Sequence, residues 1–146
     1  MDRYPLLIVI IFLGLSLGVN RIYPLNPGIG LLGQIAGGTA LICGIVLLAV
    51  SLGHFLMRGT TVMPTREPDK LVTEGIYRIS RNPMYLGMLL ILVGVPFVMA
   101  SVTGLIFALL FFLIMDQSVI PREEKMVQGI FGEDYLEYKS HTRRWI

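Results

Sequence analysis

The 146 residues are 54% hydrophobic and only 15% charged, with a mean hydropathy of +0.71. A soluble domain carries closer to ~25% charged residues, so that class is excluded. No basic stripe with interleaved aromatics is present, which sets nucleic-acid binding aside. The net charge of +2 is small, but the charges are segregated: no Asp, Glu, Lys or Arg occurs from Ile22 to Met57 or from Asn82 to Met115. Such runs read as membrane spans, because an ionised side chain at mid-bilayer costs ~3 kcal/mol or more.

The first apolar stretch, Tyr4 to Val19, precedes Asn20 and Arg21. Asp2 and Arg3 make a poor leader start and no small-x-small cleavage pattern follows, so the stretch is read as a retained helix extending to Tyr23. Pro24, Asn26, Pro27, Gly28 and Gly30 then force a turn. A second span follows over 31–56, closed by the polar run that starts at Arg58. It contains the single cysteine, Cys43, which reads as a small packing residue. His54 near its end reads as an interface residue.

The next uncharged run, 82–115, is too long for one ~20-residue span. It predicts a helical hairpin over 83–120, with arms 83–100 and 103–120 turning near Ala100–Gly104. Ser101 or Thr103 is expected to cap the returning arm, and Pro96 to kink the first one or open it onto a cavity. Asp116 then reads as interfacial. From Pro121 onward, Met126, Val127, Ile130, Phe131, Tyr135 and Tyr138 fall at spacings of three and four. They predict an amphipathic helix on the membrane surface, weakened at Gly129 and Gly132, with Trp145 as an interfacial anchor.

The expected architecture is therefore all-α and polytopic: about four transmembrane helices in one domain, a cytoplasmic loop over 58–82 and a C-terminal interfacial helix within 121–146. With four spans, every Lys and Arg except Arg21 falls on one face, which the positive-inside rule makes cytoplasmic, with both chain ends. Gly14-x-x-x-Gly18 and Gly33-x-x-x-Gly37 suit close helix packing or homo-oligomer formation.

Chemistry-bearing groups concentrate where the polar segments enter the bilayer. Taken alone, Glu123-Glu124 reads as a solvated acidic pair beside Arg122 and Lys125, and Asn82-Pro83 as a helix start. With two histidines and one cysteine far apart, no metal site is expected.

The stretch Leu71-Val72-Thr73-Glu74-Gly75-Ile76-Tyr77, running into Arg81-Asn82-Pro83-Met84-Tyr85-Leu86-Gly87, resembles the isoprenylcysteine carboxyl methyltransferase and phospholipid methyltransferase superfamily. Across the hairpin, Glu123-Glu124 and then Phe131-Gly132-Glu133-Asp134-Tyr135 with Tyr138 resemble that family's ending. The two blocks span roughly residues 58–146. The resemblance implies S-adenosyl-L-methionine as cofactor. Lys70, Leu71 and Val72 would line its adenosine part, and Tyr77, Asn82, Pro83, Met84 and Tyr85 its ribose and amino-acid part. Glu123, with Glu124 beside it, would receive its ammonium group. Asn82 stands where many members carry His, so an argument that needs an imidazolium fails here.

Methyl transfer from a sulfonium is an in-line displacement and chiefly requires positioning. Arg81 and Arg122 are the candidates for orienting an anionic acceptor, with Arg143 or Arg144 behind them, although Val119 occupies the place of the family's substrate-side arginine. The acceptor would be a lipophilic or lipid-modified molecule bearing a carboxylate, amine or thiol, reached from the membrane. Two other readings remain: a non-catalytic membrane scaffold, and a reductase-like relative binding a nicotinamide nucleotide.

Overall fold

The computed structural model describes residues 5–57 and 70–146. Arg3, Arg58, Arg66 and the first half of the expected 58–82 loop lie outside them. The described chain is all-helical. Helix α1 spans Pro5–Ile22, α2 Leu31–Met57, α3 Pro83–Val98, α4 Leu105–Ile114 and α5 Ile120–His141, with a 3₁₀ turn at Gly75–Arg78 and a π turn at Met115–Val119.

Local chemistry explains the boundaries. Pro5 occupies the first turn of α1, where its missing N–H costs nothing, and Arg21 sits in the last turn, where the dipole favours a cation. The connection to α2 is an Asn turn: the Asn26 side chain accepts from the Gly28 and Ile29 amides at 2.9 and 2.7 Å, and Gly28 takes a φ of +91°. Pro83 opens α3. Pro96 lies inside it, and the helix ends two residues later at Val98.

Three helical stretches are long and apolar enough to cross a membrane: Pro5–Ile22, Leu31–His54 and the helical run that starts at Leu105. Helix α3 is apolar but has only 16 residues, rising ~24 Å against a hydrocarbon thickness of ~30 Å. Large hydrophobic side chains such as Leu6, Ile10, Leu32, Ile42 and Leu109 are exposed on the outer faces. In water this would be untenable; against lipid tails it is the expected arrangement. The core forms where α1, α3 and α4 meet, around Ile8, Tyr85, Met88, Leu92, Ala108 and Phe111.

Helices α2 and α3 pack antiparallel and almost backbone to backbone. A Cβ on Gly87 would lie 2.8 Å from the Gly44 carbonyl oxygen, and one on Gly94 would lie 2.7 Å from that of Gly37. Both glycine pairs are seven residues apart, and Ser51, fully buried, continues the stripe on α2. Small residues permit this approach, and dispersion between the two backbones holds it without a hydrophobic contribution from water. The expected Gly33–Gly37 pair is only partly used: a Cβ on Gly33 would meet its own neighbour Ile29, while Gly14 and Gly18 face open space.

Two expectations change in detail. Neither Ser101 nor Thr103 caps α4; its N-cap is Gly104. The hydroxyls instead tie the hairpin tip to the end of α1. Ser101 donates to Asn20 Oδ1 at 3.0 Å, the Gly104 amide donates to the same oxygen at 2.8 Å, and Thr103 donates to the Tyr23 carbonyl at 2.7 Å. Asn20 is 2% exposed, so its amide satisfies donors that would otherwise be stranded.

The second change is at the boundary between the 103–120 arm and the segment from Pro121, across which the helix is continuous. The helix runs on through the π turn into α5 and breaks at Gly132, which adopts φ 53° and ψ −121°. Proline lacks an N–H and its ring clashes with the carbonyl four residues back. Widening the ladder by one residue just before Pro121 relieves both problems without ending the helix.

Candidate functional site

Ser80-Arg81-Asn82 leads into α3 through a bend at Arg81, pairing with Thr142-Arg143-Arg144 in an isolated parallel bridge between Ser80 and Arg143. The Arg81 amide donates to the Arg143 carbonyl at 2.9 Å, and Asn82 Nδ2 donates to the Arg144 carbonyl at 3.1 Å. The Asn82 side chain thus serves the returning segment rather than capping α3.

This pairing is possible because α5 bends at Gly132 and brings its second half back over the start of α3. Tyr138 donates to the Tyr77 carbonyl at 2.6 Å, and Lys139 lies 6.0 Å from the centre of the Tyr135 ring. Gly75, at φ +61°, sets the 3₁₀ turn close against His54, whose ring meets Tyr77 edge-on at 6.4 Å between centroids. Burial, with the Tyr138 phenol nearby, pushes the Tyr77 hydroxyl far above the usual tyrosine range.

The charged centre is Glu124, which is 8% exposed. It accepts from Arg81 Nη2 at 2.8 Å and Nε at 3.2 Å, and from Arg144 Nη2 at 3.1 Å. Lys139 Nζ lies 3.7 Å away. Arg81 spends its remaining fork on the Lys139 carbonyl at 3.2 Å and on the Thr142 carbonyl. Arg144 reaches on to Asp116 Oδ1 at 3.1 Å, and Trp145 Nε1 donates to that same oxygen at 2.9 Å. The hydrogen bond to Glu124 raises the Arg144 guanidinium pKa above its ordinary value. Asp116, Arg144 and Trp145 are thus members of one network, where the sequence alone suggested an interfacial acid and an isolated anchor.

One turn away, Tyr85 donates to Glu123 Oε1 at 2.6 Å. Tyr85 is buried on α3 and Glu123 half-buried on α5. The two adjacent glutamates therefore differ in kind: Glu124 is neutralised by two guanidiniums, and Glu123 is held by a neutral phenol. Burial pushes the Glu123 carboxyl above the ordinary carboxylate range and the Tyr85 hydrogen bond opposes that rise, so a cation placed beside it would favour its charged form.

Tyr77, Arg81, Asn82, Pro83, Tyr85, Glu123 and Glu124 all fall at this junction. Pro83 is buried and Met84 half-buried. Val72 is buried, Leu71 half-buried and Lys70 exposed; among the described residues, the hydrogen bonds and ion pairs of the network do not include these three. Arg122 points outward and is exposed. The Asp116–Arg144 link was not foreseen. Its sequence signal is Pro121 inside a helical pattern, which marks a disturbed ladder but not the residue that repairs it.

The apolar helices thus close at one end on a polar junction lined by tyrosines and acids, the architecture of a membrane-embedded helical protein. The phospholipid methyltransferase family model matches residues 32–134, from the first turn of α2 to just past the kink of α5. The chain belongs to that family. It is 37% identical over 73 residues to protein-S-isoprenylcysteine O-methyltransferase B of Arabidopsis thaliana, covering 49% of this chain and 36% of that protein. It is 38% identical, over the same length and shares, to the A form of that plant enzyme. An uncharacterised protein of Haemophilus influenzae is 35% identical over 63 residues, covering 43% of this chain and 100% of the relative. The match spans only about a third of the plant relatives' own length. No solved structure matches the chain.

Proposed function

We propose that this chain is an S-adenosylmethionine-dependent methyltransferase acting on a membrane-associated or lipophilic acceptor, with its donor site on the cytoplasmic face. The observation that carries the reading is the Tyr85–Glu123 pair, a carboxylate held by a neutral group where the family's two sequence blocks converge. The residues present fit the donor. Glu123 offers an uncompensated charge for an ammonium group, Tyr85 an aromatic ring, and the apolar Leu71 and Val72 a wall for an adenine. When bound, S-adenosylmethionine supplies a methyl group activated by its sulfonium.

The chain's own work is positional. Glu123 and Tyr85 would fix the amino-acid end, while Tyr77, Asn82, Pro83 and Met84 would line its flank. Lys70, Leu71 and Val72 would enclose the adenosine part. Glu124 and Arg81, locked together, would hold the α3 start and α5 at fixed separation. Arg81 therefore acts by positioning, since its donors are already spent. Arg122, on the exposed side of α5, is the candidate for orienting an anionic acceptor. An acceptor that is already anionic needs no general base, and its apolar part would stay in lipid beside the exposed helix faces. A carboxylate or a thiolate suits this arrangement directly, whereas an amine acceptor would have to enter as the neutral base and without help from Arg122.

Titrating S-adenosylmethionine or S-adenosylhomocysteine into the detergent-purified chain tests the reading. Saturable binding that is lost in the Tyr85→Ala, Glu123→Ala double variant is expected. Absence of binding up to millimolar ligand, or binding that the double variant leaves intact, would refute it. Supplying a donor labelled on its methyl group to membranes, followed by mass spectrometry of the labelled products, identifies the acceptor.

A further inference from the structure

The π turn changes what the helix offers its surroundings. In the widened ladder the Ile120 amide donates to the Met115 carbonyl. The next amide in that pattern would serve the Asp116 carbonyl, but it belongs to Pro121 and carries no hydrogen. The Asp116 carbonyl is therefore left without a helical partner. Arg144 supplies one: its Nη1 lies 3.3 Å from that carbonyl oxygen and 3.1 Å from Oδ1 of the same residue. Its other arm holds Glu124 Oε2 at 3.1 Å. One guanidinium thus bridges both sides of the irregularity.

The consequence lies in rotation. Each residue of an α-helix advances ~100° around the axis, and a π turn absorbs one extra residue within the same rotation. If the turn annealed to regular α-helix, every later residue would advance by ~100°. Arg122 would then stand where Glu123 now meets Tyr85. The irregularity thus decides whether an acid or a base faces the Tyr85 hydroxyl.

We propose that Arg144 is a positioning residue of this site: by capping the carbonyl freed at the π turn and tying Asp116 to Glu124, it fixes the rotation of α5 and so presents Glu123 to the donor's cationic group. The inference rests on the methyltransferase reading of the same site.

The test is calorimetric titration of S-adenosylhomocysteine into the full chain in detergent, comparing wild type, Arg144→Ala, Glu123→Gln and the double variant. Arg144→Ala should weaken binding about tenfold in the wild-type background and less than twofold when Glu123 is already Gln, because its effect travels through that carboxylate. Wild-type affinity in Arg144→Ala, or an equal loss in both backgrounds, would overturn the proposal and leave the methyltransferase reading standing. A wild-type chain that does not bind would overturn that reading and this inference with it. Should Arg144→Ala fail to fold, Asp116→Asn carries the same comparison, since it keeps the side chain's size while removing the charge that Arg144 faces. A several-fold loss that disappears with Glu123→Gln supports the proposal, and unchanged binding overturns it.

Discussion

Replacing Glu124 by Ala removes a carboxylate on which two guanidiniums converge. Arg81 contributes most to the cost. Its side chain is 10% exposed and that of Glu124 is 9%, so the change leaves a buried cation with no carboxylate beside it in this network. Losing one member of such a buried pair costs ~3–5 kcal/mol. Arg144 and Lys139 add little, because their side chains are 32% and 39% exposed and water takes over their solvation. The expected loss is therefore about 3 kcal/mol. Glu124→Gln, which keeps one acceptor but no charge, should lose about 2 kcal/mol. Reversible unfolding in mixed micelles, followed by tryptophan fluorescence, measures both; Trp145 lies within the same network. Arg81→Ala in a Glu124→Ala background should add at least about 1 kcal/mol less than it does alone, since the two remove one interaction. A Glu124→Ala protein within about 1 kcal/mol of wild type, or strict additivity with Arg81→Ala, would refute the view that this pair anchors α5 to α3.

Gly87→Ala should destabilise the chain by about 1–3 kcal/mol, because its Cβ would meet the Gly44 carbonyl and the Leu48 amide, which are backbone atoms and cannot step aside; Gly18→Ala, facing open space, should change the same unfolding measurement by less than about 0.5 kcal/mol. Tyr85→Phe deletes the 2.6 Å bond to Glu123 and should weaken S-adenosylhomocysteine binding about tenfold with stability nearly unchanged, as read by parallel calorimetry and unfolding. Pro121→Ala restores the missing N–H. It should slow amide exchange over residues 117–120 while weakening the same ligand, so faster exchange there would contradict the origin assigned to the π turn.

Sequence alone carries the helical class, since uncharged runs of 36 and 34 residues leave few alternatives to helices in lipid. The breaker cluster after Tyr23 and the Asn82-Pro83 start were legible for the same reason: proline and glycine act locally. What sequence could not supply was the partner of each local feature. Gly33 and Gly37 suggested contact at a spacing of four, yet α2 meets α3 through Gly37 and Gly44, seven apart. The choice depends on which face of α3 presents its own glycines. The family-like blocks drew attention to Tyr85 and Glu123, but without the resemblance nothing in the residues themselves separates Glu123 from Glu124. That distinction arises because Arg144, twenty residues further along, returns after the Gly132 bend. Ser101 and Thr103 fit a capping pattern and instead serve Asn20 and Tyr23, partners some eighty residues away.

The two sides of the junction are held by different physics, and this shapes how each can fail. Tyr85 rides on α3, which is seated against α2 by glycine backbones. The register that sets Gly44 on Gly87 also brings His54 against Tyr77 beyond the end of α3. That contact contains few long side chains able to reorganise, so α3 tolerates little translation before backbones collide. Glu123 rides on α5, whose rotation depends on a polar network around Glu124 and on a carbonyl repaired by Arg144. Polar networks of this kind lose much of their hold when one member goes. Substitutions at the glycine seam should therefore lower stability and binding together. Substitutions at Arg144 or Asp116 should turn Glu123 away while α2 and α3 stay packed, so binding falls further than stability. A set of variants in which both groups show the same ratio of lost affinity to lost stability would mean that the junction moves as one rigid body, and the division drawn here between a fixed tyrosine and an adjustable glutamate would be wrong.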